Sequence, residues 1–410
     1  MSSTPLAFVP GARVTRARRA EGPLSGLTFA AKDVFDIRGH VASAGHPAWA
    51  SSHAPAEQDA PVIAELLVAG ADLVGVTILD ELAYSLSGQN PFYGTPLNPR
   101  APGRLCGGSS CGSAAAVAGC LCDFALGTDT AGSIRVPASF CGLYGLRPTS
   151  CSIDTRGVVP LAPRFDTVGF LAREARTFEL VAEALLPDAA HGSDVEAGGL
   201  AREQNPDAEK PSVARVLIAD DALALCDAGV TELLEDLLGR LLANLRVPME
   251  RIKLTEFSFE SLRIALQRQQ AREVMRTHGA WLDAVNPEFS PQVAQRFAWA
   301  RELADTEQGL AEDEHRLGKR VEELLTPGTL LFMPPTAGIA PRATDSATEF
   351  EDFRARTLEL TALASLTGVP QPVVPALELE GAPIGLSFIG ARGTDRYLCS
   401  LSTLFEIALR

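Results

Sequence analysis

Short apolar segments rich in β-branched and aromatic residues alternate with longer helical patterns along this chain of 410 residues. The segments that favour strands are 27–37, 73–78, 124–127, 213–219, 330–333, 371–376 and 384–389. The segments that favour helices are 61–68, 80–86, 109–119, 133–139, 229–245, 258–283, 291–325, 348–367 and 394–409. Such alternation is typical of α/β proteins, in which helices cover the faces of a sheet, so we predict an α/β fold. Residues 187–212 are poor in large apolar side chains and predict a surface excursion or linker.

The composition argues against several classes of protein. The net charge of −15 opposes nucleic-acid binding, which needs a basic surface to replace the counterions of the phosphates. The eight cysteines form no CxxC pair and the six histidines no HExxH motif, so we predict no metal site. The sequence contains no secretory signal and no apolar run of about 18 residues. We therefore expect no membrane span and a cytoplasmic protein.

Two glycine-rich segments that contain serines stand directly before predicted helices. They are CGGSSCGS at 106–113 and GTDTAGSIR at 127–135. Glycine lets the backbone approach a substrate closely and adopt unusual dihedral angles. The first turn of a helix presents free main-chain N–H groups and a partial positive charge. The N–H groups of Thr130, Ala131, Gly132 and Ser133 are therefore candidates for an oxyanion hole beside the Ser133 hydroxyl.

A serine hydroxyl is a poor nucleophile unless a base removes its proton. No histidine lies near these turns in the sequence, but Lys32, one of only four lysines, lies in the apolar segment FAAKDVF. A free lysine has a pKa of about 10.4 and is protonated at neutral pH. Burial in an apolar strand lowers that pKa and can leave the amine neutral. A neutral Lys32 could accept a proton from Ser109, which in turn accepts one from Ser133.

Taken together, these segments resemble the amidase signature family. The similar pieces are AAKDVFD, GGSSCGSAAAVA, GTDTAGSIRVPASFCGLYGLRPT, FMPPTAG and LTGVPQPVVPALELEGAPIGLSFIGARGTD. Within that family, the pieces LDELAYSLSGQNPFYGTPLNP, IADDALALC and THGAW resemble the plant indole-3-acetamide hydrolases. The resemblance implies one large α/β domain over residues 1–410, in which helices surround a mixed β-sheet.

The same resemblance implies a chemistry. It assigns Ser133 as the nucleophile, Ser109 as the serine of a cis peptide bond and Lys32 as the base of a Ser–cisSer–Lys triad. The implied reaction is hydrolysis of a small primary amide, such as an aryl-acetamide, through an acyl-enzyme and without a cofactor or metal. The implied partner is the amide substrate, and a homodimer is left open. Aromatic residues compatible with an aryl group are Tyr84, Phe92 and Trp281.

Five residues near the triad have more than one interpretation or a supporting role. Ser110 either caps a helix or places its hydroxyl near the site. Asp129 is expected to orient the turn through hydrogen bonds to the main chain. Arg135 either forms an ion pair or anchors the substrate, and Tyr84 either lines the substrate pocket or belongs to the core. Ala131 stands where the family commonly has glycine, so a positive φ there would strain the chain by about 1 kcal/mol.

Two other functions fit parts of the sequence. Residues 108–112 satisfy GxSxG, the nucleophile elbow of α/β-hydrolases, which would make Ser110 the nucleophile of an esterase. That elbow needs an apolar strand before it, whereas residues 99–108 are rich in proline and glycine and predict a loop. The histidines that could complete such a triad are His191, His278 and His315. Related chains also serve as the glutaminase subunit of a tRNA-dependent amidotransferase, which works only with its partners.

Overall fold

The computed structural model describes residues 6–187, 213–254, 258–304 and 311–409. The predicted excursion at 187–212 lies outside these residues, apart from Pro187. The strands are β1 Thr28–Lys32, β2 Asp72–Thr77, β3 Phe124–Asp129, β4 Tyr144–Arg147, β5 Thr167–Ala172, β6 Arg215–Ala219, β7 Met249–Ile252, β8 Thr329–Phe332, β9 Gln371–Leu379 and β10 Ala382–Ile389. The helices are α1 Pro47–Ser52, α2 Pro61–Val68, α3 Cys111–Ala118, α4 Arg135–Cys141, α5 Ala175–Leu185, α6 Asp220–Leu223, α7 Ala228–Leu245, α8 Phe259–Val285, α9 Pro291–Ala304, α10 Ala311–Leu324, α11 Ala347–Thr367 and α12 Asp395–Leu409.

Within the described residues, the ten strands form one sheet in the order β2-β1-β3-β5-β4-β9-β10-β8-β6-β7. The sheet is mixed: β1 is parallel to β2 and β3, and β6 is parallel to β7 and β8. The other adjacent pairs are antiparallel. The prediction of an α/β fold with helices around a mixed sheet is confirmed.

The end of β1 is the part of the sheet that matters for the site. β1 has a parallel neighbour on each side, and its residues from Phe29 to Lys32 are buried. Parallel strands covered on both faces are expected to be almost continuously apolar. Lys32 is therefore an exception to the pattern, and it lies at the carboxyl end of the strand.

Helix α3 consists mostly of alanine, glycine, serine and cysteine, and it is buried from Cys111 to Val117. Such small side chains let the helix approach β1, β3 and α4, with which it is in contact. Close packing of two elements needs small side chains between them, so this composition lets the helix lie directly against its neighbours. The segment before α3, which contains Ser109, is thereby held against the ends of β1 and β3.

Several elements differ from the sequence-based prediction. The patterns did not predict β4, β5, β7, α1, α5 or α6, and the helix expected over 291–325 is α9 and α10 in its described parts. The helix expected over 80–86 is a single 3₁₀ turn, Glu81–Ala83, because Leu82 and Ala83 adopt positive φ. No helix in the described ranges is both long and apolar enough to cross a membrane.

Candidate active site

Lys32 is fully buried at the end of β1. Its Nζ lies 2.8 Å from the Oγ of Ser109 and 2.7 Å from the Oγ1 of Thr128. Burial lowers the pKa of Lys32 to about 8, because the ammonium form loses its hydration, and the nearby carboxylate of Asp80 only partly opposes this. Two hydroxyls therefore surround an amine that loses its proton far more readily than a free lysine.

Ser109 lies on a loop that forms a hydrogen bond with Asp80. The peptide bond between Gly108 and Ser109 is cis. The main-chain N–H of Asp80 donates to the Ser109 carbonyl at 3.3 Å, and its Oδ2 accepts the N–H of Gly88 at 3.1 Å. A Cβ at Gly108 would lie 1.9 Å from Oδ2 of Asp80, so only glycine fits there. Burial raises the pKa of Asp80 to about 6.

The turn that carries Ser133 folds around the carboxylate of Asp129. Asp129 accepts the main-chain N–H groups of Gly132 at 2.8 Å, Ile134 at 3.1 Å and Arg135 at 3.3 Å. The left-handed backbone position of this turn is Gly132, with φ of +124°. The strain considered for Ala131 does not arise, because the positive φ falls one residue later on a glycine.

The geometry corrects one member of the predicted oxyanion hole. The N–H of Gly132 is directed at Asp129, so it is already used and is not free for a substrate oxygen. The N–H groups of Thr130, Ala131 and Ser133 donate no hydrogen bond among the described residues. These three residues are 3%, 6% and 4% exposed, so they are almost completely buried.

Arg135 is a structural residue, which corrects its place in the predicted substrate pocket. Its side chain is completely buried and forms an ion pair with Asp129 at 2.9 Å. The remaining guanidinium hydrogen bonds go to the Thr361 carbonyl at 2.8 Å, the Gln371 Oε1 at 2.6 Å and the Ser365 Oγ at 3.0 Å. No donor of this side chain is left for a substrate.

A second buried arginine completes the surroundings of Asp129. Arg147 donates to the Asp129 carbonyl at 2.5 Å and lies 3.3 Å from its Oδ1. Burial by itself would raise the pKa of Asp129, but the guanidinium groups of Arg135 and Arg147 hold it well below its usual range. Asp129 therefore stays ionised and fixes the turn.

The three aromatic residues considered for an aryl group, Tyr84, Phe92 and Trp281, lie in surroundings that differ from one another. Tyr84 is 6% exposed, lies edge-on against Phe297 and lines a polar cavity whose walls include neither Ser109 nor Ser133. Phe92 is 42% exposed. Trp281 belongs to an aromatic row that continues through Phe289 and Phe297 to Tyr84.

The nucleophile elbow is not built in this fold. Residues 99–108 form turns and isolated bridges, so no strand leads into Ser110. The Oγ of Ser110 donates to the Thr128 carbonyl at 3.4 Å, and Ser110 precedes α3 without a side-chain capping bond. The Nε2 of His278 contacts the Pro160 carbonyl at 2.8 Å, His315 is exposed, and His191 lies outside the described residues. The described part of the chain also contains no group of three or more His, Cys, Asp or Glu that could hold a metal ion.

Comparison with known proteins decides the family. The family profile described as Amidase matches residues 10–399. The chain belongs to the Amidase family. The plant protein Amidase 1 of Arabidopsis thaliana is 34% identical over 426 residues, covering 96% of each chain. Amidase 1 of Oryza sativa subsp. japonica is 36% identical over 400 residues, covering 92% of this chain and 89% of the relative. A solved structure described as a crystal structure of amidase superposes with a TM-score of 0.80 at 29% identity, covering 95% of this chain and 86% of the other.

The family and the prediction that this chain is an amidase are confirmed. The sequence reasoning nevertheless missed three residues of the candidate site. Thr128 contacts Lys32, Asp80 holds the Ser109 loop, and Asp166 accepts the Thr130 hydroxyl at 2.6 Å. Burial raises the pKa of Asp166. Thr128 could have been found, because it lies inside GTDTAGS, but nothing local marks Asp80 or Asp166.

Proposed function

We propose that this amidase hydrolyses a small primary amide to a carboxylate and ammonia through an acyl-enzyme on Ser133. The observation that carries the proposal is the buried Lys32, whose Nζ lies 2.8 Å from the Oγ of Ser109. A pKa of about 8 leaves a useful fraction of this lysine neutral near neutral pH. A neutral amine in that position can accept a proton from a serine hydroxyl.

In the proposed reaction, Ser109 passes a proton to Lys32 while it accepts one from Ser133. The Oγ of Ser133 attacks the carbonyl carbon of the amide, and negative charge develops on the carbonyl oxygen. The free N–H groups of Thr130, Ala131 and Ser133 are the proposed donors to that oxygen, and Gly132 is left out because its N–H serves Asp129. The proton then returns through Ser109 to the nitrogen, ammonia leaves, and water hydrolyses the acyl-enzyme by the reverse relay.

We propose small aryl-acetamides, with indole-3-acetamide among them, as the substrate class. The resemblance of LDELAYSLSGQNPFYGTPLNP, IADDALALC and THGAW to the plant indole-3-acetamide hydrolases supports this class. The similarity to proteins named Amidase 1 extends over nearly the whole chain and supports amide hydrolysis as the reaction.

The test measures ammonia release by the purified protein from a panel of aliphatic and aromatic primary amides. Ser133→Ala is expected to lower kcat by about 10⁴-fold or more, as for other serine nucleophiles, and to prevent acyl-enzyme formation in mass spectrometry. Ser110→Ala is the matched control, since it removes a neighbouring hydroxyl and should retain most of the activity.

Three outcomes would contradict parts of this proposal. Full activity of Ser133→Ala would exclude Ser133 as the nucleophile. Complete loss in Ser110→Ala with activity retained in Ser133→Ala would favour the esterase-type elbow. Activity that appears only when amidotransferase subunits are added would favour the glutaminase-type subunit.

A further inference from the structure

The three free N–H groups of the Ser133 turn belong to peptide groups that are held in different ways. The N–H of Thr130 shares its peptide group with the carbonyl of Asp129. That carbonyl accepts hydrogen bonds from the Arg147 guanidinium at 2.5 Å and from the Thr167 hydroxyl at 2.8 Å. In a planar trans peptide the C=O and N–H point in opposite directions, so these contacts also fix where the Thr130 N–H points.

The N–H of Ser133 is fixed in the same way, whereas the N–H of Ala131 is not. The carbonyl of Gly132, which shares its peptide group with the Ser133 N–H, accepts the main-chain N–H of Val136 at 2.8 Å. The Ala131 N–H shares its peptide group with the Thr130 carbonyl. Within the part of the chain that the structure describes, that carbonyl accepts no hydrogen bond. The position of the Ala131 N–H therefore depends on what holds the two ends of this peptide group.

Each end of this peptide group is held by one hydroxyl contact. At the Ala131 end, the Ala131 carbonyl accepts the hydroxyl of Thr361 in helix α11 at 2.8 Å. At the other end, the hydroxyl of Thr130 donates to the Oδ1 of Asp166 at 2.6 Å. A hydroxyl bound to a carboxylate at this distance forms one of the stronger kinds of hydrogen bond. Asp166 is therefore the main side-chain anchor of Thr130.

Asp166 is itself held in one orientation. Its carboxylate accepts the main-chain N–H groups of Leu161 at 2.8 Å and of Ala162 at 3.0 Å. Asp166 also stands directly before β5, which pairs along its whole length with β3. An acceptor that is fixed by its own turn and by the sheet can hold Thr130 in a constant place.

We propose that Asp166 is a positioning residue of the amidase reaction, which acts through the Thr130 hydroxyl and places the Ala131 N–H where the oxyanion forms. The inference rests on the proposed function, since it takes an oxyanion beside Ser133 as given. Donors that are fixed before the reaction stabilise this charge without reorganising. A displacement of about 1 Å in such a group can cost about 100-fold in rate.

The charge of Asp166 has a second effect, and this effect decides the choice of variant. The negative charges of Asp166 and Asp80 both raise the pKa of Lys32. Removing Asp166 would therefore change the titration of the base as well as the position of Thr130. Thr130→Val keeps the charge of Asp166 and the branched shape of the side chain, and it removes only the hydroxyl.

The first experiment compares the unmodified protein with Thr130→Val and Thr130→Ser in ammonia release from phenylacetamide. We expect Thr130→Val to lower kcat about 10–100-fold with little change in KM, because the oxyanion exists only in the transition state and the tetrahedral intermediate. Thr130→Ser keeps the hydroxyl and should retain most of the activity. The affinity for phenylboronic acid, which forms a tetrahedral adduct with a serine hydroxyl, should fall in Thr130→Val by a factor similar to that for kcat.

The matched control is Thr149→Val. The Thr149 hydroxyl donates to Asp395, at the start of helix α12, at 2.6 Å, the same distance as in the pair of Thr130 and Asp166. Asp395 also accepts the main-chain N–H of Thr149 at 2.6 Å. Both variants thus remove one threonine hydroxyl from an aspartate. Thr149→Val should keep kcat and the affinity for phenylboronic acid, whatever it does to the melting temperature.

The second experiment tests whether Thr130 and Asp166 act as a pair. The kcat of Thr130→Val, Asp166→Ala and the double variant is measured at alkaline pH, well above the Lys32 pKa of about 8, so that the base is neutral in each protein. Each substitution breaks the same contact. We therefore expect the double variant to be about as slow as the slower single variant.

Three results would overturn the inference. The first is a folded Thr130→Val, verified by its melting temperature, that keeps both kcat and the affinity for phenylboronic acid. The second is an equal loss of kcat in Thr149→Val and Thr130→Val. The third is a double variant in which the two losses multiply. If Thr130→Val does not fold, the kcat and phenylboronic acid affinity of Asp166→Ala at alkaline pH decide in its place.

The failure of this inference can be told apart from the failure of the proposed function. Full activity of Ser133→Ala would contradict the proposed function and would overturn the role of Asp166 with it. An inactive Ser133→Ala together with a fully active Thr130→Val would overturn only the role of Asp166.

Discussion

Lys32 and Asp129 are both completely buried charged residues, yet their surroundings have opposite consequences. Lys32 contacts two neutral hydroxyls, those of Ser109 and Thr128, and burial lowers its pKa to about 8. Asp129 accepts hydrogen bonds from two buried guanidinium groups and from three main-chain N–H groups, and its pKa is depressed. Burial alone therefore does not make a group reactive. What differs is whether the side chains that form hydrogen bonds with the buried group carry the opposite charge.

The different surroundings of Lys32 and Asp129 also predict different roles, one in reactivity and one in stability. A neutral lysine needs no counterion, so the chain can bury it and leave its proton exchangeable near neutral pH. An ionised carboxylate between two arginines is costly to disturb, because removing one member leaves the others buried and unpaired. Replacing Lys32 should therefore cost activity and replacing Asp129 should cost stability.

Among the variants that test the comparison of Lys32 with Asp129, the largest expected effect is the loss of activity in Lys32→Met. Removing the base should lower kcat/KM by about 10²–10⁴-fold, the usual contribution of general base catalysis. The melting temperature should change little, because methionine fills a similar volume without a buried amine. Ammonia release and thermal unfolding measure the two effects. An unchanged rate across neutral and alkaline pH would remove Lys32 from the mechanism.

Asp129→Asn, in contrast to Lys32→Met, is expected to lower the stability of the protein. Loss of the carboxylate leaves Arg135 and Arg147 buried without a counterion, which should lower the free energy of unfolding by about 3–5 kcal/mol. Urea unfolding measures this change. The control is Asp154→Asn, which breaks an exposed ion pair with Arg156 and should have little effect. Equal stability of the two variants would show that the Asp129 network does not hold the turn.

The pH dependence of the rate tests whether Lys32 acts as the base with a lowered pKa. Activity should rise with pH around a midpoint near 8, because the base acts only after losing its proton. The Asp80 carboxylate, whose pKa is about 6, is ionised there and raises the pKa of Lys32. Asp80→Asn should therefore move the midpoint of the kcat/KM profile to lower pH. A midpoint that stays in place or rises would contradict this electrostatic link.

The smallest expected effect concerns Thr128, which sequence reasoning did not single out. Thr128→Val removes one hydrogen bond to Lys32 and should lower kcat/KM about five-fold, the equivalent of about 1 kcal/mol. Thr77→Val is the control, since it removes a buried hydroxyl that contacts Ser113 at 2.8 Å and keeps the hydrogen bonds of the Lys32 amine to Ser109 and Thr128. If both variants change the rate equally, the effect comes from packing and not from Lys32.

Much of the secondary structure around the site could be predicted from the sequence, because these strands and turns have local sequence signatures. The strand that carries Lys32 and the glycine-rich turns before α3 and α4 follow from periodicity and turn chemistry. In contrast, β4 and β5 are short strands whose residues do not alternate, and they form because neighbouring strands pair with them. The same limit applies to the 3₁₀ turn at Glu81–Ala83, where positive φ values are imposed by the surroundings.

By itself, the sequence determined the α/β class, the family and the residue types from which the site is built. These depend on short-range patterns and on motifs that are contiguous in the chain. Only the tertiary structure decided that Ser109 and Thr128 both reach Lys32, that Gly132 is committed to Asp129 and that Arg135 is structural. The physical reason is that hydrogen bonding and pKa depend on which groups meet after burial, and those groups lie far apart along the chain.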